Sequence, residues 1–127
     1  MGSDVKVILM EADEQHPFVQ VELMMPILPV VRVRDVDEAI DMAIRVEHGN
    51  RHTAMMHSRN VDKLTKMAKL IQTTIFVKNG PSYAGIGVGG MGYTTFTIAG
   101  PTGEGLTSAK SFARKRKCVL VGGMDVR

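Results

Sequence analysis

The sequence contains a single cysteine, Cys118, which excludes an intrachain disulfide and is typical of a protein from a reducing compartment. It also lacks any apolar run near the roughly 20 residues that a membrane span needs, and it has no signal-peptide pattern. Tryptophan is absent and aromatic residues make up 5% of the chain. Tyr93 and Phe96 could stack on bases, but no nucleic-acid-binding signature accompanies them. We therefore expect a cytoplasmic chain that binds neither membrane nor nucleic acid.

The remaining composition is that of a globular protein. With 127 residues, 44% of them apolar, the chain is long enough for one domain or a piece of one. Met1-Gly2-Ser3 resembles an expression leader, so residues 1–3 are set apart from residues 4–127.

Charge is distributed unevenly along the chain. Residues 1–47 hold ten acids and four bases, whereas residues 48–127 hold three acids and twelve bases. A basic half can attract nucleic acid or anionic cofactors. Its only cluster is Arg114-Lys115-Arg116-Lys117, and we favour a solvated face or a subunit contact there.

Apolar periodicity predicts strands alternating with helices. Short connections between them are typical of a parallel sheet with right-handed crossovers. The fold class is therefore α/β, a mainly parallel sheet with crossover helices. The predicted strands cover about residues 5–10, 27–33, 53–56 and 73–77. The predicted helices begin at the caps Asp35 and Asn60 and end near Val46 and Ile71.

The C-terminal part is predicted to close the chain with a helix and a strand. The helix covers about Glu104 to Ala113, with Thr102 as its cap. The strand covers Cys118 to Val121. Cys118 beside four cations could be a reactive thiolate, but the apolar run that follows favours a small apolar role in a strand.

Nine of the 13 glycines lie between Gly80 and Gly105. They indicate either a loop shaped against something large or a set of ordinary tight turns. Gly85-Ile-Gly87-Val-Gly89-Gly90 matches a dinucleotide-binding fingerprint by letter, yet β-type sequence follows it where a helix is required. The spacing from Gly100 to Thr107 resembles a phosphate-binding loop, but Leu106 occupies the position of the essential lysine. Neither match supports nucleotide binding.

Three nearby side chains could suggest a zinc site: Glu47, His48 and His52. A metal-binding pair spaced i, i+4 needs a continuous helix, and Gly49-Asn50 interrupts it. His57 is placed on the following strand. We predict no metal site.

Several motifs, taken together and in order, resemble the CoA-acylating propionaldehyde/acetaldehyde branch of the aldehyde dehydrogenase superfamily, in its C-terminal part. The resemblance covers nearly the whole chain after the leader. The motifs are His16-Pro17-Phe18, Glu22-Leu23-Met24-Met25-Pro26, His48-Gly49-Asn50-Arg51-His52-Thr53-Ala54, Ile75-Phe76-Val77-Lys78-Asn79-Gly80-Pro81, Tyr93-Thr94-Thr95-Phe96-Thr97-Ile98 and Thr102-Gly103-Glu104-Gly105.

The resemblance implies roles for five residues. Glu22 matches the carboxylate that holds the nicotinamide ribose, and Met24 matches the position that packs near the nicotinamide. Pro81, Ser82 and Tyr83 match the loop that closes the acyl pocket. The parent enzymes use NAD and coenzyme A, and the resemblance further implies a homo-oligomer of bacterial microcompartments. Residues 4–127 would then be part of the catalytic domain, with an oligomerisation strand at about residues 117–122.

The sequence departs from the family pattern in two ways. The family's nucleophilic cysteine lies upstream of everything matched, and Cys118 is not in its motif. Met91 stands where this branch usually has a glutamate between glycines. We therefore expect no catalytic residue in these 127 residues and no turnover by the chain alone.

Two other kinds of function stay open at this point. The chain could be a self-associating scaffold or interaction module, because apolar faces cut away from a partner domain would associate. It could also be a small CoA- or nucleotide-binding module that uses the glycine loops and the basic half.

Overall fold

The computed structural model describes residues 4–92, 98–99, 105–119 and 121–122, with backbone alone for residues 98–99. Its strands are β1 (Ile8–Glu11), β2 (Ile27–Val30), β3 (Thr53–Met56), β4 (Ile75–Lys78), β5 (Ile98–Ala99) and β6 (Gly105–Leu106). Its α-helices are α1 (Pro17–Gln20), α2 (Val36–Val46) and α3 (Val61–Ile71). Two 3-10 helices cover Ser82–Ile86 and Ala109–Phe112.

The predicted α/β class with parallel strands is confirmed. β1 pairs in parallel with β2, β3 pairs in parallel with β4, and β5 with β6 forms a short antiparallel pair. Among the described residues, no backbone hydrogen bonds join one strand pair to another. The single sheet predicted from the sequence is therefore divided into three two-stranded sheets. Pro29 contributes to this division. The amides of Ile8 and of Ala12, just after β1, donate to the carbonyls of Pro26 and Val30. The nitrogen of Pro29 therefore faces the other edge of β2, where it has no hydrogen to donate.

Local capping explains where the long helices begin. The carboxylate of Asp35 accepts from the Glu38 amide at 2.9 Å, and Glu38 accepts from the Arg34 amide at 2.7 Å, which together satisfy free donors at the start of α2. The side chain of Asn60 caps α3 by accepting from Lys63 at 3.1 Å. Both predicted helix starts are confirmed.

The core lies where α2 and α3 pack on β3. Ile40 of α2 is 1% exposed, and it clusters with residues of the other two elements. These are Met56, Leu64, Met67 and Ile71. A second cluster, of Ile75, Val77 and Ile86, joins β4 to the first 3-10 helix.

One helix was missed by the sequence analysis, and two predictions about local structure are wrong. The short helix α1 was not predicted, because four residues are too few to show a periodicity. His57 lies immediately after β3 and is not part of it. The helix predicted over Glu104 to Ala113 is replaced by β6 and a 3-10 helix, because its segment instead pairs with β5. The cap Thr102 lies outside the described residues.

The described residues of the predicted final strand form no strand within this chain. Lys117, Cys118 and Val119 are exposed and lie outside any strand, and Val121 is 93% exposed. A strand needs a partner for its backbone groups, and none of the described strands pairs with this segment.

Candidate functional site

A polar cleft of about 670 Å³ lies where the chain leaves α1 and where α2 meets β3. Its apolar lining comes from Val19, Val21 and Val46. Its polar lining comes from Gln20, Glu22, Glu47, His48, Asn50, His52 and Thr53. An open cleft with several donors and acceptors suits a hydroxylated, polar ligand.

α1 places Glu22 at this cleft. The ring of His16 caps α1 by accepting from the Phe18 amide at 3.1 Å, and the Gln20 side chain bonds to the carbonyl of Glu14. The Val21 amide donates to the Pro17 carbonyl at 3.0 Å and ends the helix in extended backbone. Glu22 follows at once, exposed and lining the cleft. Glu22 therefore faces solvent at the edge of the cleft.

The segment from His48 to His52, here called the cleft loop, forms a second part of the lining. His48 and Arg51 have φ of 55° and 53°, and Gly49 has φ of 76°. Left-handed backbone at non-glycine residues costs free energy, and it often accompanies functional sites. The Arg51 carbonyl accepts from the Thr74 amide at 2.8 Å, so the start of β4 holds the loop in place.

One imidazole of the cleft loop has a definite partner. His52 Nδ1 lies 2.7 Å from Thr53 Oγ1, and this contact orients the ring. Sequence reasoning considered Glu47, His48 and His52 only as metal ligands. It did not predict that they share a cleft with Glu22, because that depends on how α1 and α2 lie against each other.

Met24 does not line this cleft. It is 88% exposed and has φ of 48°, which makes it an exposed apolar side chain on an unfavourable backbone. Glu22 lines the cleft and Met24, two residues later, does not.

The turn of Pro81, Ser82 and Tyr83 is built at the carboxyl ends of β3 and β4. Asn79, with φ of 54°, accepts from the Ser58 amide at 2.7 Å and donates to the Ser58 carbonyl at 2.9 Å. These two bonds tie the segment after β4 to the segment after β3. Pro81 then caps the first 3-10 helix, and Tyr83 is 58% exposed. None of the three residues lines the Glu22 cleft.

The glycines between Gly85 and Gly92 allow close packing of the backbone. A β-carbon at Gly85 would lie 2.3 Å from Cγ2 of Ile75, and one at Gly92 would lie 2.1 Å from the Gly85 carbonyl oxygen. Gly87 has φ of 99° and ends the 3-10 helix. The segment therefore consists of compact turns, in agreement with the rejection of a dinucleotide fingerprint. Met91 is 99% exposed at its end.

In the part of the chain that the structure describes, no cluster of three or more His, Cys, Asp or Glu side chains is arranged to hold a metal ion. Within the same residues no helix is long and apolar enough to cross a membrane.

Comparison with known proteins identifies the family. The model of the aldehyde dehydrogenase family matches residues 6–110. The chain is 60% identical over 121 residues to the propanal dehydrogenase (CoA-propanoylating) of Salmonella typhimurium. The aligned region covers 95% of this chain and 26% of that protein. It is 57% identical over 121 residues to the acetylating acetaldehyde dehydrogenase of the same organism, again covering 26% of that protein. The chain thus spans about a quarter of the length of these curated relatives.

Solved structures give the same result. The Rhodopseudomonas palustris propionaldehyde dehydrogenase with bound propionyl-CoA is 77% identical and superposes with a TM-score of 0.87, over 94% of this chain and 26% of that one. An engineered glycolyl-CoA reductase with bound NADP+ gives the same identity and TM-score, over 94% of this chain and 27% of that one. The predicted resemblance is therefore confirmed, and the chain belongs to the aldehyde dehydrogenase family.

Proposed function

We propose that the chain is part of an NAD-dependent, CoA-acylating aldehyde dehydrogenase, which converts a short aldehyde, CoA and NAD to acyl-CoA and NADH. The observation that carries this proposal is the 77% identity to a propionaldehyde dehydrogenase that binds propionyl-CoA, over 94% of this chain. The scaffold and small-module alternatives are not favoured by these relatives.

In this proposal Glu22 holds the nicotinamide ribose. An ionised carboxylate can accept a hydrogen bond on each oxygen, which suits two neighbouring hydroxyl groups. Glu22 is exposed and lines a polar cleft, so a ribose could reach it. Asn50 and His52 of the same cleft add donors and acceptors for the remaining polar atoms.

The other site residues act on the reacting end of the ligands. We assign Met24 to packing near the nicotinamide, which its exposure in this chain permits. We assign Pro81, Ser82 and Tyr83 to closing the acyl pocket, where the Asn79 bonds fix their position.

The reaction itself is nucleophilic covalent catalysis. A cysteine thiolate would add to the aldehyde carbon to form a thiohemiacetal, and bound NAD would supply the hydride acceptor for its oxidation to a thioester. The thiol of CoA would then give up its proton and take the acyl group, which releases the enzyme cysteine as its thiolate. We assign none of these catalytic steps to the described residues, and Cys118 is not the nucleophile. The chain by itself is accordingly expected to produce no NADH.

The domain, the oligomeric state and the cellular location are also proposals. We place residues 4–127 in the catalytic domain of a homo-oligomer, with residues 117–122 pairing as a strand in another subunit. A cytoplasmic location inside a bacterial microcompartment is supported by a 51% identical propionaldehyde dehydrogenase of the fucose utilisation microcompartment of Clostridium phytofermentans.

The proposal is tested in a chimera in which these residues replace the matching quarter of the Rhodopseudomonas palustris enzyme. The chimera should form NADH from propionaldehyde, CoA and NAD. Glu22→Gln should raise the KM for NAD by about 10- to 100-fold, because a hydrogen bond to a charged group contributes about 1.5–3 kcal/mol.

Glu11→Gln is the matched control, since Glu11 is an exposed carboxylate that pairs with Arg32 away from this cleft. It should leave the KM unchanged. A chimera that assembles like the parent enzyme yet forms no NADH would contradict the proposed function. An unchanged KM in Glu22→Gln would contradict the role of Glu22.

A further inference from the structure

Glu47 stands where helix electrostatics disfavour a carboxylate. It is the C-cap of α2, at the negative end of the helix dipole, where a cation is normally preferred. Such departures from a local rule are expected at functional positions. Glu47 is also half-buried, whereas its neighbours His48, Asn50 and His52 are exposed.

The amide of Glu47 donates to the Ala43 carbonyl within α2, whereas its carboxylate and its carbonyl contact the cleft loop. Its carboxylate accepts from the His52 amide at 3.4 Å. Its carbonyl accepts from the Asn50 amide at 3.2 Å and from the Asn50 side chain at 2.9 Å. The loop between these bonds holds two non-glycine residues in left-handed backbone, a conformation that needs support from its surroundings.

We propose that Glu47 is a positioning residue. Its carboxylate holds the cleft loop in the conformation that lines the Glu22 cleft, and it thereby sets the affinity for a ribose-bearing ligand. This inference rests on the proposed function for its ligand, but its structural part concerns the free chain. The hydrogen bond that the His52 amide donates to this carboxylate places Asn50 and His52 where they can bond to ligand hydroxyls.

The first test measures amide hydrogen exchange by NMR on the 127-residue chain without ligand. Glu47→Ala should speed exchange at His52 by about fivefold or more, because loss of one hydrogen bond corresponds to about 1 kcal/mol. Glu47→Gln keeps an oxygen acceptor and should restore most of the protection. Asp41→Ala removes an exposed carboxylate from the same helix, outside the cleft lining, and should change nothing at His52.

The second test titrates the same variants with nicotinamide mononucleotide and follows amide chemical shifts. Glu47→Ala should weaken binding at least about fivefold, and Glu47→Gln should weaken it less. A purely structural role would instead speed exchange throughout α2 and α3, with no rescue by glutamine.

Unchanged protection of His52 in Glu47→Ala would overturn the inference while leaving the proposed function intact. Failure of the wild-type chain to bind the mononucleotide would count against both the proposed ribose site and the affinity part of this inference. Equal binding by wild type and Glu47→Ala would overturn the affinity part alone.

Discussion

Gly85 illustrates how one residue type is selected by its neighbours. Its α-carbon lies so close to β4 that a β-carbon would approach Cγ2 of Ile75 to 2.3 Å. Ile75 is itself buried in the second cluster and cannot easily move. The glycine permits the 3-10 helix to lie directly on β4, and this contact sets the position of the turn that begins at Pro81.

Gly85→Ala should therefore destabilise the chain by about 1–3 kcal/mol, the usual cost of overpacking a filled site. Gly80→Ala is the control, because a β-carbon there would meet Val77 Cγ1 at 3.4 Å, an ordinary contact. Urea unfolding of both variants measures the difference. Equal free energies of unfolding would contradict the close packing of the 3-10 helix on β4.

At Gln72 the opposite substitution, to glycine, should stabilise the chain because it relieves backbone strain. It ends α3 with φ of 52°, where glycine is the preferred residue. Gln72→Gly should stabilise the chain by about 0.5–1 kcal/mol, since a left-handed residue without a β-carbon avoids the steric cost. Thermal unfolding checks this, and a lower Tm would show that the Gln72 side chain contributes more than its backbone costs.

At the scale of elements, α2 and α3 are joined by charge as well as by apolar packing. Asp37 of α2 accepts from Lys63 at 2.6 Å and from Lys66 at 2.8 Å, both on α3. These bonds, with that of Lys63 as the larger cause, lower the pKa of Asp37 to about 2. The Asp37 side chain is 44% exposed, so solvent screening limits the contribution to stability.

The direction of the pH effect follows from this lowered pKa. The folded chain holds the carboxylate of Asp37 ionised at pH values where the unfolded chain, with its ordinary pKa of 3.8, begins to bind the proton. The stabilisation is present above about pH 4 and is lost as the pH falls towards 2. Asp37→Asn should flatten this part of the profile of unfolding free energy against pH. An unchanged profile would contradict the ion pairs.

The apolar contact between the same elements is concentrated at Ile40. Because it is 1% exposed and packs in the cluster of α2, α3 and β3, Ile40→Ala should cost about 2–5 kcal/mol. Val36→Ala is the control, as Val36 lies at the exposed start of the same helix and is 36% exposed. Urea unfolding should give a clearly lower free energy of unfolding for Ile40→Ala than for Val36→Ala. A loss of less than about 1 kcal/mol in Ile40→Ala would contradict the assigned core.

The elements that sequence predicts well are those whose signals are local. Asp35 and Asn60 cap the helices that follow them, and the strand over Thr53 to Met56 has the predicted bounds. The helix predicted from Glu104 is wrong because the segment at Gly105 pairs with β5. The strand at about residues 117–122 stays a prediction, since its proposed partner is another subunit.

The same distinction applies to the candidate site. The motif around Glu22 makes this residue a candidate, but its place in a cleft with Glu47 and His52 depends on tertiary packing. A local pattern shows only that His48 and His52 are separated by a helix break. It does not show that the resulting loop forms a binding surface.

At the scale of the whole molecule, the β1–β2 pair leaves apolar side chains uncovered. Leu9 is 65% exposed, Leu28 is 53% exposed and Val30 is 44% exposed. Parallel strands are normally covered on both faces. This surface is consistent with the proposal that these residues form part of a larger catalytic domain, in which further polypeptide packs on β1 and β2.

The whole-molecule proposal also predicts what the chain cannot do by itself. Incubated with propionaldehyde, CoA and NAD, the purified chain should form no NADH, because no described residue is assigned the role of acyl carrier. The chimera, assayed in parallel at equal concentration, serves as the positive control. Absorbance at the NADH band gives the rate, and NADH formation by the chain alone would contradict this assignment.

The most direct measurement is a crystal structure of the chimera with bound NAD. We expect both carboxylate oxygens of Glu22 to lie at hydrogen-bond distance, about 2.5–3.0 Å, from the nicotinamide ribose hydroxyls. A ribose bound to other residues, with Glu22 remaining in solvent, would contradict this expectation.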